Sequence, residues 1–129
     1  MAEFSNYAEN AVLNHLLRNV ALTSPTTVYL SLYSTDPTDA DSGSELAAAN
    51  GYARIAIAFD APSGGVCLST AELTFTASGA DWSAATHIGI HDASTAGNLL
   101  FHTPLAASRT ALDGDSIVFA ANAVSVTLQ

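Results

Sequence analysis

Thr86-His87-Ile88-Gly89-Ile90-His91-Asp92-Ala93-Ser94-Thr95-Ala96-Gly97-Asn98-Leu99-Leu100-Phe101-His102 reads as a strand, a loop of small and polar residues, and a second strand. Gly97-Asn98 supplies the turn chemistry of a β-hairpin, so the segment predicts antiparallel β structure. Three of the four histidines lie within it, and any metal chemistry has to be sought here. In a helix, His87 and His91 would share a face and suit zinc. In a strand, with Gly89 among isoleucines, the same spacing parts their Cα atoms by roughly 13 Å, too far to share one ion. His102 sits on the partner strand, where a register that sequence does not fix decides what it meets. These are expected to be locally hydrogen-bonded histidines, with no metal and no cofactor.

The same pattern extends on either side. Val28 to Ser34 alternates, placing Val28, Leu30 and Leu32 on one face and Tyr29, Ser31 and Tyr33 on the other. Tyr52 to Phe59 predicts a second clear strand, with Ala53, Ile55, Ile57 and Phe59 inward. Shorter strands are expected over Val66–Thr70, Glu72–Thr76 (Leu73 and Phe75 inward), Pro104–Thr110, Ser116–Ala120 and Val124–Leu128. Pro62-Ser63-Gly64-Gly65 and Asp113-Gly114 mark turns, and Ser78–Ser83 is a loop carrying the only tryptophan. The fold class is therefore mainly β: an antiparallel β-sandwich or partly closed barrel of about eight short strands with one N-terminal α-helix. Residues 1–129 are expected to form one β-rich domain. No internal repeat or sustained heptad appears, so the chain reads as a compact block and not as a fibrous shaft.

The helix is expected over about residues 6–18. Asn6 with Glu9 resembles a capping box, and Asn19 suits a left-handed C-terminal cap. Val12, Leu13, Leu16, Leu17 and Val20 recur at helical spacing as one apolar stripe. The stripe is expected to cover the domain's own sheet, with docking on a neighbouring subunit as the alternative.

Charge narrows the partners. Twelve acids stand against three arginines, with no lysine, for a net charge of −9. Nucleic acid binding draws on cations that this chain lacks, and an anionic membrane would repel it. No run approaches the ~20 apolar residues of a membrane span, and the N-terminus lacks the basic and apolar regions of a signal peptide. A lone Cys67 cannot form an internal disulfide, which fits folding in a reducing cytoplasm. Because charged residues make up only 12%, the surface must be largely Ser, Thr, Ala and Asn, a composition compatible with packing against other subunits.

Asp36, Asp39, Asp41 and Glu45 invite calcium, but their spacing is not that of an EF-hand, and a solvated loop with Asx turns is expected instead. No Gly-x-Ser-x-Gly elbow occurs, Cys67 lies among apolar and small residues, and Gly64-Gly65 lacks the lysine and helix of a phosphate loop. The chain reads as non-enzymatic. The candidate contact surface comprises Tyr29, Tyr33, Tyr52 and Trp82, suited to protein interfaces or sugar stacking, with Arg54 and Arg109; for each aromatic, filling a sheet edge within this domain is the alternative. Each of these arginines is expected to pair with a carboxylate, within the domain or across a subunit contact.

Taken in order, several segments resemble a family of small tailed-bacteriophage virion proteins commonly labelled phage tail fibre protein. They are Tyr29-Leu30-Ser31-Leu32-Tyr33 leading into Thr35-Asp36-Pro37-Thr38-Asp39, then Asn50-Gly51-Tyr52-Ala53-Arg54 and Trp82. Thr86-His87-Ile88-Gly89-Ile90, Asp92-Ala93, Gly97 to His102, Ser108-Arg109-Thr110 and Gly114-Asp115 follow. His91 departs from the aromatic expected before Asp92-Ala93, and Cys67 replaces a small polar residue. The resemblance implies a virion structural component with no catalytic residues, assembled in the host cytoplasm. Such a component would be a tail-fibre, appendage or adaptor part, or alternatively a trimeric capsid cement protein, or a host-glycan binding module. Its implied partners are other virion proteins and further copies of itself, a trimer being favoured, because closed symmetry turns weak single contacts into stable attachment.

Overall fold

A computed structural model of the chain describes residues 2–128. Among these residues nine strands and one helix follow in order. They are β1 (Glu3–Phe4), α1 (Asn6–Leu17), β2 (Val28–Tyr33), β3 (Ile55–Ile57), β4 (Val66–Leu68), β5 (Leu73–Thr76), β6 (Ala85–His91), β7 (Leu99–Arg109), β8 (Ser116–Phe119) and β9 (Ser125–Thr127). Five strands form one sheet in the order β1-β7-β6-β2-β3, and every pairing is antiparallel. Two smaller ladders, β4-β9 and β5-β8, lie apart from it in hydrogen bonding.

The alternation of β2 and β6 decides how these layers meet. Leu30 pairs with Ile90 and Leu32 with Ile88, which puts four apolar side chains on one face. That face packs with Phe75, Ile117, Phe119, Val124 and Val126 from the smaller ladders into a single core cluster. The architecture is a β-sandwich, and no closed barrel forms among the described residues. No helix among them is long and apolar enough to cross a membrane.

The nine strands among the described residues agree with the expected count of about eight; β1, two residues long and defined by its pairing with β7, was not among those expected. Two local expectations are corrected. Pro104 does not open a new strand. It lies within β7, beyond the short reach of β1, where the missing N–H breaks no ladder. The strand read from Tyr52 begins only at Ile55. Asn50 and Gly51 have φ of 54° and 83°, a turn that leaves Ala53 exposed.

The largest departure concerns α1. Its N-cap is Ser5, one residue before the expected capping box; the Ser5 hydroxyl accepts from Ala8 N at 3.1 Å and donates to the Leu99 carbonyl. Asn19, at φ 56°, supplies the left-handed cap as read. The apolar stripe does not cover the sheet. Ala8 is the one buried helix residue, while Leu13, Leu16 and Leu17 are 54%, 71% and 76% exposed. The reason is geometric: the sheet's apolar face is already closed by the smaller ladders, and α1 lies beside β1 and β7 through its small residues.

Candidate functional site

The opposite face of the large sheet is polar. Strand register sets Ser31, Gly89, His102 and Glu3 in one row across four strands. Period-two alternation adds Tyr29, Tyr33, His87 and His91 to the same face. The acidic loop that follows β2 folds over this surface and meets each histidine with a carboxylate. Asp39 Oδ1 is 2.9 Å from His102 Nε2. Asp36 lies 3.9 Å from both His87 and His102, and Asp41 lies 3.8 Å from His91.

His91 is fully buried here and lies parallel to the Tyr33 ring, with centroids 6.1 Å apart. Its Nδ1 is 3.1 Å from Ser31 Oγ and its Nε2 is 3.1 Å from the Tyr33 hydroxyl. That hydroxyl donates to Asp41 at 2.7 Å, and the Ser31 hydroxyl donates to the Gly89 carbonyl at 3.1 Å. Burial first, and the nearby Arg54 charge second, hold the His91 pKa below its ordinary value. Burial also pushes the Tyr33 hydroxyl well above the ordinary phenol range, with the hydrogen bond to Asp41 adding to it. The place where an aromatic was expected is thus filled by a flat, hydrogen-bonded imidazole. Gly89 makes the stacking possible: a Cβ there would sit 2.8 Å from both Leu99 Cδ1 and Ser31 Oγ.

Arg54 organises the loop's far end. It donates to both oxygens of Glu45, at 2.9 and 2.8 Å, and to the carbonyls of Ala93 and Ala96 at 3.0 and 2.7 Å. One guanidinium therefore joins the acidic loop, the approach to β3 and the β6–β7 turn. Burial alone would raise the Glu45 carboxyl, but the hydrogen bonds from Arg54 and Tyr52 outweigh it and hold the group below its usual range. The turn is closed by Asp92, which accepts from the Asn98 backbone at 2.7 Å and from its side chain at 2.8 Å.

The six predicted contact residues separate on this framework. Tyr33, Tyr52 and Trp82 are only 2%, 5% and 7% exposed, so their rings pack inside the chain. The Tyr52 hydroxyl donates to Glu45 at 2.7 Å and accepts from Leu32 N at 3.0 Å. Trp82 meets Tyr52 edge-on and donates to the Asn50 carbonyl. Tyr29 is half-buried beside His91. Arg54 has the carboxylate partner expected of it; Arg109 instead donates to the Val118 carbonyl at 2.9 Å and lies over Phe119. The four acids considered for calcium do not converge, since Glu45 is held by Arg54 and Tyr52 while Asp39 turns to His102. Among the described residues, Glu3, Asp39 and His102 are the group whose potential ligand atoms all lie within 4.8 Å of one another. Sequence reasoning missed the pairing of loop and hairpin. Its one available signal was that the densest acidic run and the histidine-rich segment are complementary in charge.

Outward-facing apolar side chains include Leu13, Leu16 and Leu17 of α1, Val20 and Leu22 after the helix ends, and Leu112, Val118 and Leu128 elsewhere. The histidine face is closed by its own loop. The family described as Podophage GP4 fiber I protein gp80 matches residues 3–127. No curated protein matches the chain.

Proposed function

This chain belongs to the podophage GP4 fiber I protein family, and on that premise we propose that it is a non-enzymatic structural part of the phage tail. It acts as a compact fibre appendage or adaptor and works by association with other virion proteins, in several copies arranged about a rotation axis, three being favoured. The observation that carries this reading is the family match across residues 3–127. The chemistry is consistent with it: the buried histidines, tyrosines and Arg54 are committed to bonds that hold loop to sheet. Three of the four rings considered for glycan stacking are buried, which leaves that alternative with Tyr29 alone.

Immunogold labelling of intact particles tests the reading. Gold confined to the tail is the expected result. Gold spread over the head would replace the reading with a capsid cement role, and particles free of label would refute a virion component altogether.

A further inference from the structure

We propose that Glu3, Asp39 and His102 bind one divalent transition-metal ion, best suited to zinc, which ties the N-terminal strand and the acidic loop to the sheet. The three residues come from separate parts of the chain: β1, the loop after β2, and β7. Register sets Glu3 directly opposite His102 on neighbouring strands, and the loop brings Asp39 Oδ1 to 2.9 Å from His102 Nε2. One potential ligand atom from each residue lies within 4.8 Å of the other two. Ligand atoms around a tetrahedral ion with bonds of about 2.1 Å stand roughly 3.4 Å apart, so small side-chain rotations close the set. Both carboxylates are exposed and can make that adjustment, while His102 is buried and held in place. The site uses one histidine, so the separation of His87 from His91 does not bear on it.

Three observations point to a metal ion here and not to a merely solvated acidic patch. The first is the donor set. Calcium and magnesium take oxygen ligands, whereas a buried imidazole beside two carboxylates suits zinc and its neighbours. The second is what lies behind the ring. Once Nε2 ligates, the neutral imidazole carries its proton on Nδ1, which faces Asp36 Oδ1 at 3.9 Å. A carboxylate behind the imidazole is the arrangement that orients metal-bound histidines. The third is charge. Glu3, Asp36 and Asp39 gather around His102 in a chain with no lysine and three arginines. All three arginines are engaged elsewhere: Arg18 on Asn14, Arg54 on Glu45 and Arg109 on the Val118 carbonyl. A dication supplies the charge that no arginine brings. It also anchors β1, whose two residues make the shortest ladder in the sheet.

Calorimetric titration of zinc chloride into the full chain tests this, with Cys67→Ser as the background so that the one thiol plays no part. One ion per chain is expected, with a dissociation constant of about 10 µM or tighter. At a hundredfold excess of zinc over that constant, the unfolding temperature is expected to rise by at least about 5 °C. Glu3→Gln and Asp39→Asn, conservative changes at exposed positions, should each weaken binding at least about tenfold. Glu72→Gln, which alters an exposed acid elsewhere, should leave binding unchanged. Absence of binding at about 1 mM zinc overturns the proposal. Binding that both ligand variants retain in full overturns it too, because the ion is then held elsewhere. Calcium chloride binding as tightly as zinc overturns the assignment to a transition metal. If a ligand variant misfolds, the imidazole NMR signals of the Cys67→Ser chain decide. Zinc that displaces the His102 signals supports the site, and displacement confined to the exposed His15 overturns it.

Discussion

The two faces of the five-stranded sheet come from the same strands and cohere by different forces. On one face Leu30, Leu32, Ile88 and Ile90 join a continuous apolar core, whose cohesion is non-directional and insensitive to pH. On the other, Ser31, Tyr33, His87, His91 and His102 are closed by an acidic loop through hydrogen bonds and close approaches of histidine to carboxylate. Among the described residues, every buried side-chain nitrogen or oxygen has a partner, which is what makes a polar layer tolerable at this depth. The difference teaches that a sandwich can be two-sided without a second apolar layer, provided that one loop satisfies the polar groups.

Perturbing each face should separate the two mechanisms. The largest effect is expected on the apolar side: Leu30→Ala, at a fully buried position, should cost about 4 kcal/mol in chemical denaturation, since a cavity adds to the lost transfer energy. An effect under half that size would mean the ladders collapse onto the sheet. Next comes Arg54→Gln, expected to cost about 3 kcal/mol because Glu45 is left partly buried and two turn carbonyls lose a donor. Unchanged stability would show that the loop is held by its histidines alone.

The third prediction concerns pH. His91 is held below its ordinary value of 6.5, so below that value the unfolded chain binds more protons than the folded one. Stability should fall as pH drops from about 6.5 towards the lowered folded value. Glu45 and Asp92, both held below their ordinary values, contribute stability above the normal carboxylate range that is lost as pH falls through their folded values. Thermal unfolding across pH 4–8 should therefore show a His91→Phe variant with a shallower slope near neutrality. A slope equal to that of the unaltered chain would exclude His91 as its source. The smallest effect is expected at Tyr29→Ala, where a half-buried ring should contribute about 1 kcal/mol.

The sequence carried the strands well and the second face poorly. Alternation in Val28–Tyr33 and the Gly97-Asn98 turn are local signals, and both strands of the central hairpin stand where the pattern puts them. The closure of the polar face is not local. Asp39 and His102 are 63 residues apart, and only the register that sets His102 opposite Gly89 brings the loop to them. For the aromatics the sequence leaves surface contact and internal packing both open, because a tyrosine on a polar strand face suits either; Tyr33 and Tyr52 are polar at the tip and covered along the ring. The helix misleads in the opposite sense. Its periodicity is genuine, but periodicity names a face without saying what lies against it, and the sheet it was expected to cover is already closed.

Amide hydrogen exchange at pH 7 and pH 5, expressed as protection factors, tests the two-force account most directly. The loop amides of Ser34, Ser42 and Ser44 are expected to lose protection at pH 5, while Leu30 and Ile90 keep theirs. Equal loss at loop and core would contradict the account, because it would mean that the two faces open as one.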